Sequence, residues 1–183
     1  MALDASKVRV AVTGEVSVGA TTATAPTGTG GALTGFTGLG YVSEDGVTEA
    51  RERSTEDIKA WQNGAVVRTL VTEGSLTYQL ALIETKKETV ELAYGTTVTQ
   101  SATEGNYVIV PTNTGGRKSF VIDIVDGAQI KRIYIPEGEV TEVGETVYAN
   151  GEPIGYEVTI AAYPNTTISG NAKVWDTALK TGA

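Results

Sequence analysis

The stretch that most constrains the fold spans residues 39–95, where glycine turn signals separate runs rich in Val, Thr, Leu and Tyr. Glycine and asparagine adopt positive φ at low cost, while β-branched and aromatic residues favour strands. Asn63-Gly64 and Glu73-Gly74 therefore predict two tight turns between antiparallel strands. The stretch as a whole predicts a module of three strands followed by one helix.

The strands of this module are predicted at residues 47–53, 66–73 and 75–84. The first follows Asp45-Gly46 and is densely charged, which is typical of an edge strand or of a surface that contacts another chain. The third alternates apolar and polar residues, so one of its faces is predicted to be core. The apolar members of that strand are Leu76, Tyr78, Leu80 and Leu82.

A short helix is predicted at residues 86–94, because the spacing of apolar residues changes there from two to about 3.6. Thr85 followed by Glu88 matches a capping box, and Gly95 supplies a left-handed residue at the carboxyl end. A helix this short needs tertiary support. We therefore expect Val90, Ala93 and Tyr94 to pack onto the sheet.

The remaining chain predicts further strands and turns at the spacing of an all-β sandwich or barrel. The strands are predicted at residues 7–13, 107–110, 119–125, 129–135 and 156–163, with turns at Asp126-Gly127, Glu137-Gly138 and Asn150-Gly151. The tail after Pro164 fits either a strand or a short helix. The sequence predicts one domain over residues 1–183.

Residues 14–40 hold eight glycines and seven threonines with few large apolar residues. Such a segment lacks the apolar surface to build a packed element of its own. We expect a long loop or arm here, beginning where Gly14 ends the first strand. Loops of that length in compact domains are usually functional or disordered, and both interpretations remain open.

The composition removes most common enzyme mechanisms, because the chain contains neither cysteine nor histidine. That excludes a disulfide framework, a cysteine nucleophile and a Ser-His-Asp triad, and it argues against a structural zinc site. The Gly/Lys/Ser run at 115–119 lacks the spacing of a phosphate loop. We therefore expect no enzyme activity, no cofactor and no metal, and we predict neither a signal peptide nor a membrane span.

The net charge of -8 argues against tight binding to the outside of nucleic acid, because phosphate contacts need clustered Lys and Arg. Most of this charge lies in residues 133–172, a window that contains no Lys or Arg. Its acidic residues are Glu137, Glu139, Glu142, Glu145, Glu152 and Glu157. A solvated acidic face that keeps the protein soluble is one interpretation of this window.

Several strings resemble the major tail subunit, or tail tube protein, of long-tailed siphophages, and most of all those of phages that infect actinobacteria. They are LGYVSEDGVTEARERSTEDIKAWQNGAVVRT (39–69), RKSFVIDIVDG (117–127), YIPEGEVTEVGE (134–145) and NGEPIGYEVTIAAYP (150–164). These strings are typical of the family without being catalytic signatures. Together they cover most of the chain after residue 38.

The resemblance implies a mainly β, sandwich- or barrel-like tail tube fold with one short helix and long loops. It also implies that six copies close into a ring whose strands form an inner barrel, and that rings stack into a tube through which DNA is ejected. Implied partners are other copies of the chain, the tape-measure protein, the tail terminator, distal tail proteins and DNA that passes without specific binding. The implied location is the virion tail, assembled in the host cytoplasm.

An acidic lumen would repel DNA and keep its affinity for the wall low. This gives the acidic window at residues 133–172 a second interpretation. The residues expected to face the lumen are Glu73, Thr77, Gln79, Glu137, Glu139, Glu142 and Glu157. Those expected at contacts between subunits are Glu44, Asp45, Glu49, Arg51, Glu52 and Arg53. The competing hypothesis is an immunoglobulin-like adhesion or decoration module of a virion or cell surface, which would remain a monomer.

Overall fold

The computed structural model of the chain describes residues 4–180 and is built almost entirely from antiparallel β-strands. The strands are β1 (Thr13–Gly19), β2 (Phe36–Gly38), β3 (Val42–Lys59), β4 (Val66–Leu82), β5 (Thr99–Gln100), β6 (Gly105–Asn106), β7 (Lys118–Asp126), β8 (Gln129–Val143), β9 (Tyr156–Ala162) and β10 (Lys173–Asp176). One α-helix, α1 (Lys87–Tyr94), follows β4, and 3-10 turns span Ala5–Lys7 and Thr177–Leu179. The mainly β prediction with one short helix is confirmed.

Eight of the strands form one sheet in the order β2-β1-β7-β8-β9-β4-β3, with β10 added against β8. The long strand β8 joins two halves of this sheet. Its first part pairs with β7 and β10, and its second part pairs with β9. Since the sheet curls, β1, which lies next to the end strand β2, comes near β3 at the other end, and the core lies between the two halves.

The core is filled by the inward side chains of alternate strand positions, as a half-buried sheet requires. Phe120 and Ile122 of β7 meet Val158 and Ile160 of β9 there, and all four side chains are fully buried. The alternation predicted for β4 is confirmed. Tyr78, Leu80 and Leu82 are buried, and Leu76 is partly buried against the same cluster.

Helix α1 lies where the sequence predicts it and ends at Gly95, whose φ is 60°. Val90, Leu92 and Ala93 are buried against the sheet, which is the support that a helix of two turns needs. The predicted capping box is wrong. Lys86 is the N-cap residue and makes no side-chain cap, while the Thr85 hydroxyl lies 3.2 Å from that of Tyr156.

The predicted turn at Glu73-Gly74 is wrong, because β4 runs unbroken through both residues. Gly74 pairs with Arg53 on β3 and has no positive φ. An equally long β3 satisfies the backbone of β4 without a reversal, so the predicted strands 66–73 and 75–84 are one strand. The turn at Asn63-Gly64 is confirmed, with φ of 59° and 64°, and it joins two very long strands.

The first strand begins later than predicted. Val8, Val10 and Val12 alternate in the sequence but are all exposed, and β1 starts at Thr13. Residues 14–40 are therefore not a continuous loop. The segment begins in β1, which pairs with β7, and it ends just after β2, which pairs with β1. Only residues 20–35, between β1 and β2, are irregular. The small residues of β1 still form a strand because β7 and β2 pair with it on its two sides.

Two other predictions are wrong, and the open question at the tail is decided. Residues 107–110 form no strand, and Glu137-Gly138 lies inside β8 instead of in a turn. Gly138 is needed in the strand because a Cβ there would lie 2.8 Å from the Phe120 ring. The turns at Asp126-Gly127 and Asn150-Gly151 are confirmed. The tail after Pro164 contains both a strand and a 3-10 turn.

Candidate functional site: an acidic face, a projecting hairpin and a seam cleft

The outer side of the four-stranded region β3-β4-β9-β8 forms one continuous polar surface, which we call the acidic face. Strand register fixes its members, because residues paired across strands share a side of the sheet. Gln79 pairs with Thr159, which pairs with Glu142, and Thr77 pairs with Ala161. Thr77, Gln79, Thr159 and Ala161 each lie between neighbours that pack against the core. The sheet therefore separates a dry inner side from a polar outer side.

Six of the seven residues predicted to face a lumen lie on the same side of the sheet. Thr77 and Gln79 of β4, Glu157 of β9, and Glu139 and Glu142 of β8 belong to the acidic face, and Glu73 continues that side of β4 beyond Thr77, where β4 pairs only with β3. The Gln79 amide donates to the Glu157 carboxylate at 2.5 Å, and the Thr114 hydroxyl donates to Glu139 at 2.5 Å. Glu52 of β3, predicted at a subunit contact, lies on this face beside Ser75.

Glu137, the seventh residue, has a different environment at the edge of this region. Arg117 Nη1 donates to one of its carboxylate oxygens at 2.5 Å, and Asn165 Nδ2 donates to the other at 2.9 Å. These hydrogen bonds, from Asn165 and then Arg117, lower the pKa of Glu137. The guanidinium of Arg117 also lies 4.4 Å from the centre of the Tyr163 ring. Glu137 is thus a paired carboxylate.

The outer parts of β3 and β4 leave the body as a two-stranded ribbon, residues 51–76, which we call the projecting hairpin. Strand β9 pairs with β4 only from Thr77 to Leu82, so beyond Thr77 the two strands pair only with each other. At about 3.3 Å per residue, the ribbon reaches about 35 Å from the body. Isolated two-stranded ribbons are only marginally stable in water, which favours a partner for this one.

The tip of the projecting hairpin exposes large apolar side chains. Trp61, in the turn, is 98% exposed, and Val66 and Val67 are more than half exposed. Residues 58–68 include Lys59 and Arg68 but no acidic residue. Such a concentration of apolar and cationic groups far from the core is typical of a contact surface. The turn dipeptide Asn63-Gly64 did not by itself predict this contact surface.

The residues predicted at subunit contacts all lie on β3, in two groups. Glu44 and Asp45 lie where β3 leaves its register with β4 between Val42 and Val47. The other members are Glu49, Arg51, Glu52 and Arg53 on β3. Glu49 lies opposite Tyr78, and its carboxylate is 3.5 Å from Arg51 Nε. Burial and then the charge and hydrogen bond of Glu49 raise the pKa of Tyr78.

Between β1 and β3 lies a cleft of about 670 Å³, here called the seam cleft. Its floor is apolar and includes Val16, Val47 and Ile122, and Glu15 and Glu44 stand in its walls. Further lining residues are Val42, Ser43, Glu84, Asp123 and Ile124. The Ser43 hydroxyl is the one buried side-chain oxygen without a hydrogen-bond partner in the part of the chain that the structure describes. Sequence reasoning gave no sign of this cleft.

The irregular segment 20–35 is fastened to the sheet by Arg132 of β8. Its guanidinium donates to the carbonyl oxygens of Gly28 and Gly31 at 3.0 and 3.2 Å. The same group forms two hydrogen bonds of 2.7 Å with Asp123, which raise the pKa of Arg132. The segment is thereby docked on the body of the subunit.

Residues 4–180 contain neither a metal-binding cluster nor a helix that could span a membrane. No three His, Cys, Asp or Glu side chains of this part are grouped to hold a metal ion. Its helices are too short and too polar to cross a bilayer.

Comparison with known proteins adds one match. A family model described as a phage tail tube protein matches residues 1–177 of the chain. No curated protein matches it. The match spans every strand of the sheet, the projecting hairpin and helix α1.

Proposed function

Because the chain belongs to the phage tail tube protein family, we propose that six copies close into a ring and that stacked rings form the tube that conducts DNA during ejection. The family is a structural one, so the chain is a virion component of the tail and not a member of an enzyme family. The ring, the stacking and the conduit are the parts of this function that need assembled copies.

The observation that carries the proposal is the acidic face. Glu139, Glu142 and Glu157 lie there on one side of a four-stranded region, and Glu73 continues that side into the projecting hairpin. The four-stranded region carries no Lys or Arg on this side. Carboxylates repel phosphates, so a lumen lined by this face would hold DNA weakly at every position. Six copies would repeat the pattern around the wall.

The free strand edges and the projecting hairpin suit the chain for self-assembly. In the described residues, β3 has only one hydrogen-bonded neighbour along its whole length, and unpaired edges readily pair with another chain. We place the predicted contact residues, Glu44, Asp45, Glu49, Arg51, Glu52 and Arg53, at interfaces between copies. Glu52 would then lie where the interface meets the lumen.

The further partners follow from the resemblance of the sequence to siphophage tail subunits. The tape-measure protein would fill the lumen during assembly, and the tail terminator and distal tail proteins would cap the two ends. We also propose an actinobacteriophage source and assembly in the host cytoplasm. An immunoglobulin-like adhesion module is not favoured by the family match and leaves the projecting hairpin without a role.

The test is electron microscopy of the purified full-length chain. We expect rings and tubes in negative stain, and a reconstruction with six copies per ring whose acidic face lines the lumen. Small featureless particles at every concentration would overturn the assembly proposal. Tubes with a neutral or basic inner wall would leave assembly standing and reject the acidic lumen.

A further inference from the structure

We propose that the tip of the projecting hairpin of one copy inserts into the seam cleft of another copy, with Trp61 as the anchoring side chain. This inference rests on the proposed self-assembly and adds the identity of the two surfaces that meet. Aromatic anchors in pockets are the usual centre of strong protein contacts. Trp61 is 98% exposed, so the free subunit leaves this anchor without a pocket.

The two surfaces are complementary in charge. The tip carries Lys59 and Arg68 without an acidic residue between them. The seam cleft is lined by Glu15, Glu44 and Glu84, and no lysine or arginine is among its described lining residues. Opposite charges at the rim would steer the tip into the cleft and would disfavour contact between two tips or two clefts.

The two surfaces are also complementary in polarity and size. The apolar side chains around Trp61 are those of Ile58, Val66 and Val67, and the apolar floor of the cleft includes Val16 and Ile122. A volume of about 670 Å³ falls within the range of pockets that bind compact ligands. The cleft can therefore accept an indole ring together with a neighbouring aliphatic side chain.

The walls of the cleft retain unused hydrogen-bonding capacity. Residues 43–46 of β3 are not paired with β4. The outer edge of β1 pairs with β2 only from Ser17 onward. An incoming strand end would find backbone groups on both sides, as in strand addition to a sheet edge. The buried Ser43 hydroxyl, which lacks a partner, lies in the same wall.

The occupant must come from another copy. The cleft is at the base of β3 around residues 42–47, whereas Trp61 lies beyond the far end of the same strand, about 50 Å away at 3.3 Å per residue. Its own tip therefore cannot fold back into the cleft without unzipping the hairpin. A tip-in-cleft contact is heterologous: it leaves a free cleft on the copy that donates its tip and a free tip on the copy that accepts it, so it can propagate, as stacking of copies requires.

Disulfide trapping tests the contact directly, because the chain has no cysteine. Gln62→Cys at the tip is combined with Ala11→Cys in the cleft wall, and assembled material is oxidised. We expect dimers and longer ladders on a non-reducing gel, at least tenfold more abundant than for the matched control Gln62→Cys with Ala102→Cys. Ala102 lies in the exposed turn between β5 and β6, outside the cleft. Equal yields from the two pairs would overturn the proposal.

Tryptophan fluorescence gives an independent readout that does not depend on introduced thiols. In Trp175→Phe protein, Trp61 is the only tryptophan, and its emission should shift to shorter wavelength on assembly. Lys59→Glu should reduce assembly several-fold, and adding Glu44→Lys should restore it. Tubes in which Trp61 stays exposed would reject this contact and leave the proposed function standing. Cross-linked pairs that never form rings or tubes would support this contact and reject the proposed function.

Discussion

Arg132 and Asp123, paired across β7 and β8, form a fork of two 2.7 Å hydrogen bonds in which the arginine side chain is only 7% exposed. Two further bonds from this guanidinium hold the carbonyl groups of the glycine-rich segment 20–35. The buried guanidinium of Arg132 thus connects strands β7 and β8 to segment 20–35, which has almost no apolar surface of its own.

Arg132→Met should release segment 20–35 and destabilise the subunit. The change leaves Asp123 as an unpaired carboxylate, and breaking a buried pair costs about 3 kcal/mol or more. Denaturant unfolding measures the loss, and hydrogen exchange should rise in residues 20–35 before the sheet opens. Arg51→Met is the matched control, since its pair with Glu49 is exposed and should change stability by under about 1 kcal/mol. Equal losses from both variants would contradict this role of Arg132.

Gly138→Ala should destabilise the body of the fold. The added Cβ would lie 2.8 Å from Phe120 and 3.0 Å from Ile160, and overpacking of this kind costs about 1–3 kcal/mol. The midpoint of denaturant unfolding gives the measurement. Gly155→Ala is the control, because a Cβ there meets nothing within 4 Å and its φ is not positive. A neutral Gly138→Ala would mean that the inner contact of β8 with β7 and β9 is looser than described.

Stability should fall with rising pH in the alkaline range, partly through Tyr78. Burial and Glu49 raise the pKa of Tyr78 in the folded state, whereas the unfolded side chain ionises at about pH 10. The stabilising contribution is therefore complete below about pH 10 and is lost as pH rises above that value. Tyr78→Phe should unfold with a shallower pH dependence above about pH 10. Exposed Tyr41→Phe is the control, and an unchanged slope in Tyr78→Phe would contradict the assignment.

Glu73→Lys with Glu142→Lys should turn a DNA-repelling tube into a DNA-binding one. Glu142 lies on the acidic face and Glu73 on the same side of β4 beyond it, and the double change removes two negative and adds two positive charges per copy. Lysines that contact phosphates give binding that weakens steeply with salt. Co-sedimentation of DNA with tubes at several salt concentrations measures the effect. Glu104→Lys with Glu152→Lys makes the same charge change in loops, and equal DNA binding by both variants would reject a lumen lined by the acidic face.

Shortening the projecting hairpin should abolish tubes and leave the subunit folded. Thr55 and Val71 are paired, so replacing residues 56–70 with Asn-Gly gives a regular two-residue turn. The removed residues are mostly exposed and contribute nothing to the core. Circular dichroism and sedimentation velocity together measure fold and assembly. Normal tubes from the shortened chain would show that the hairpin is dispensable.

Local signals in the sequence predicted much of the sheet and the content of the acidic face. Side-chain alternation placed Tyr78, Leu80 and Leu82 in the core, and Asn63-Gly64 marked a turn that no distant contact overrides. Alternation also predicted that Thr77 and Gln79 lie opposite that core. The position of β9 beside β4 is decided by pairing across more than 70 residues, which no local pattern encodes.

The wrong predictions arose where a distant partner outweighs local preference. Glu73-Gly74 has the composition of a turn, yet pairing with Ser54 and Arg53 keeps it extended. The alternating valines at 8–12 lack a neighbour that would bury them, so their pattern has no structural consequence there. The seam cleft depends on the curl of the whole sheet, and it could not be inferred from residues 40–47 alone.

Thr72 is the one residue of β4 without a counterpart between the pairs Ser54–Glu73 and Thr55–Val71. Because side chains alternate strictly along a strand, this extra residue sets which side of the ribbon every position beyond it occupies. Exchanging one exposed side chain for another alters the surface at a single point. Losing or gaining one residue would instead turn the whole distal half over. The ribbon therefore tolerates the exchange of exposed side chains, but not the loss or gain of a single residue in one of its strands.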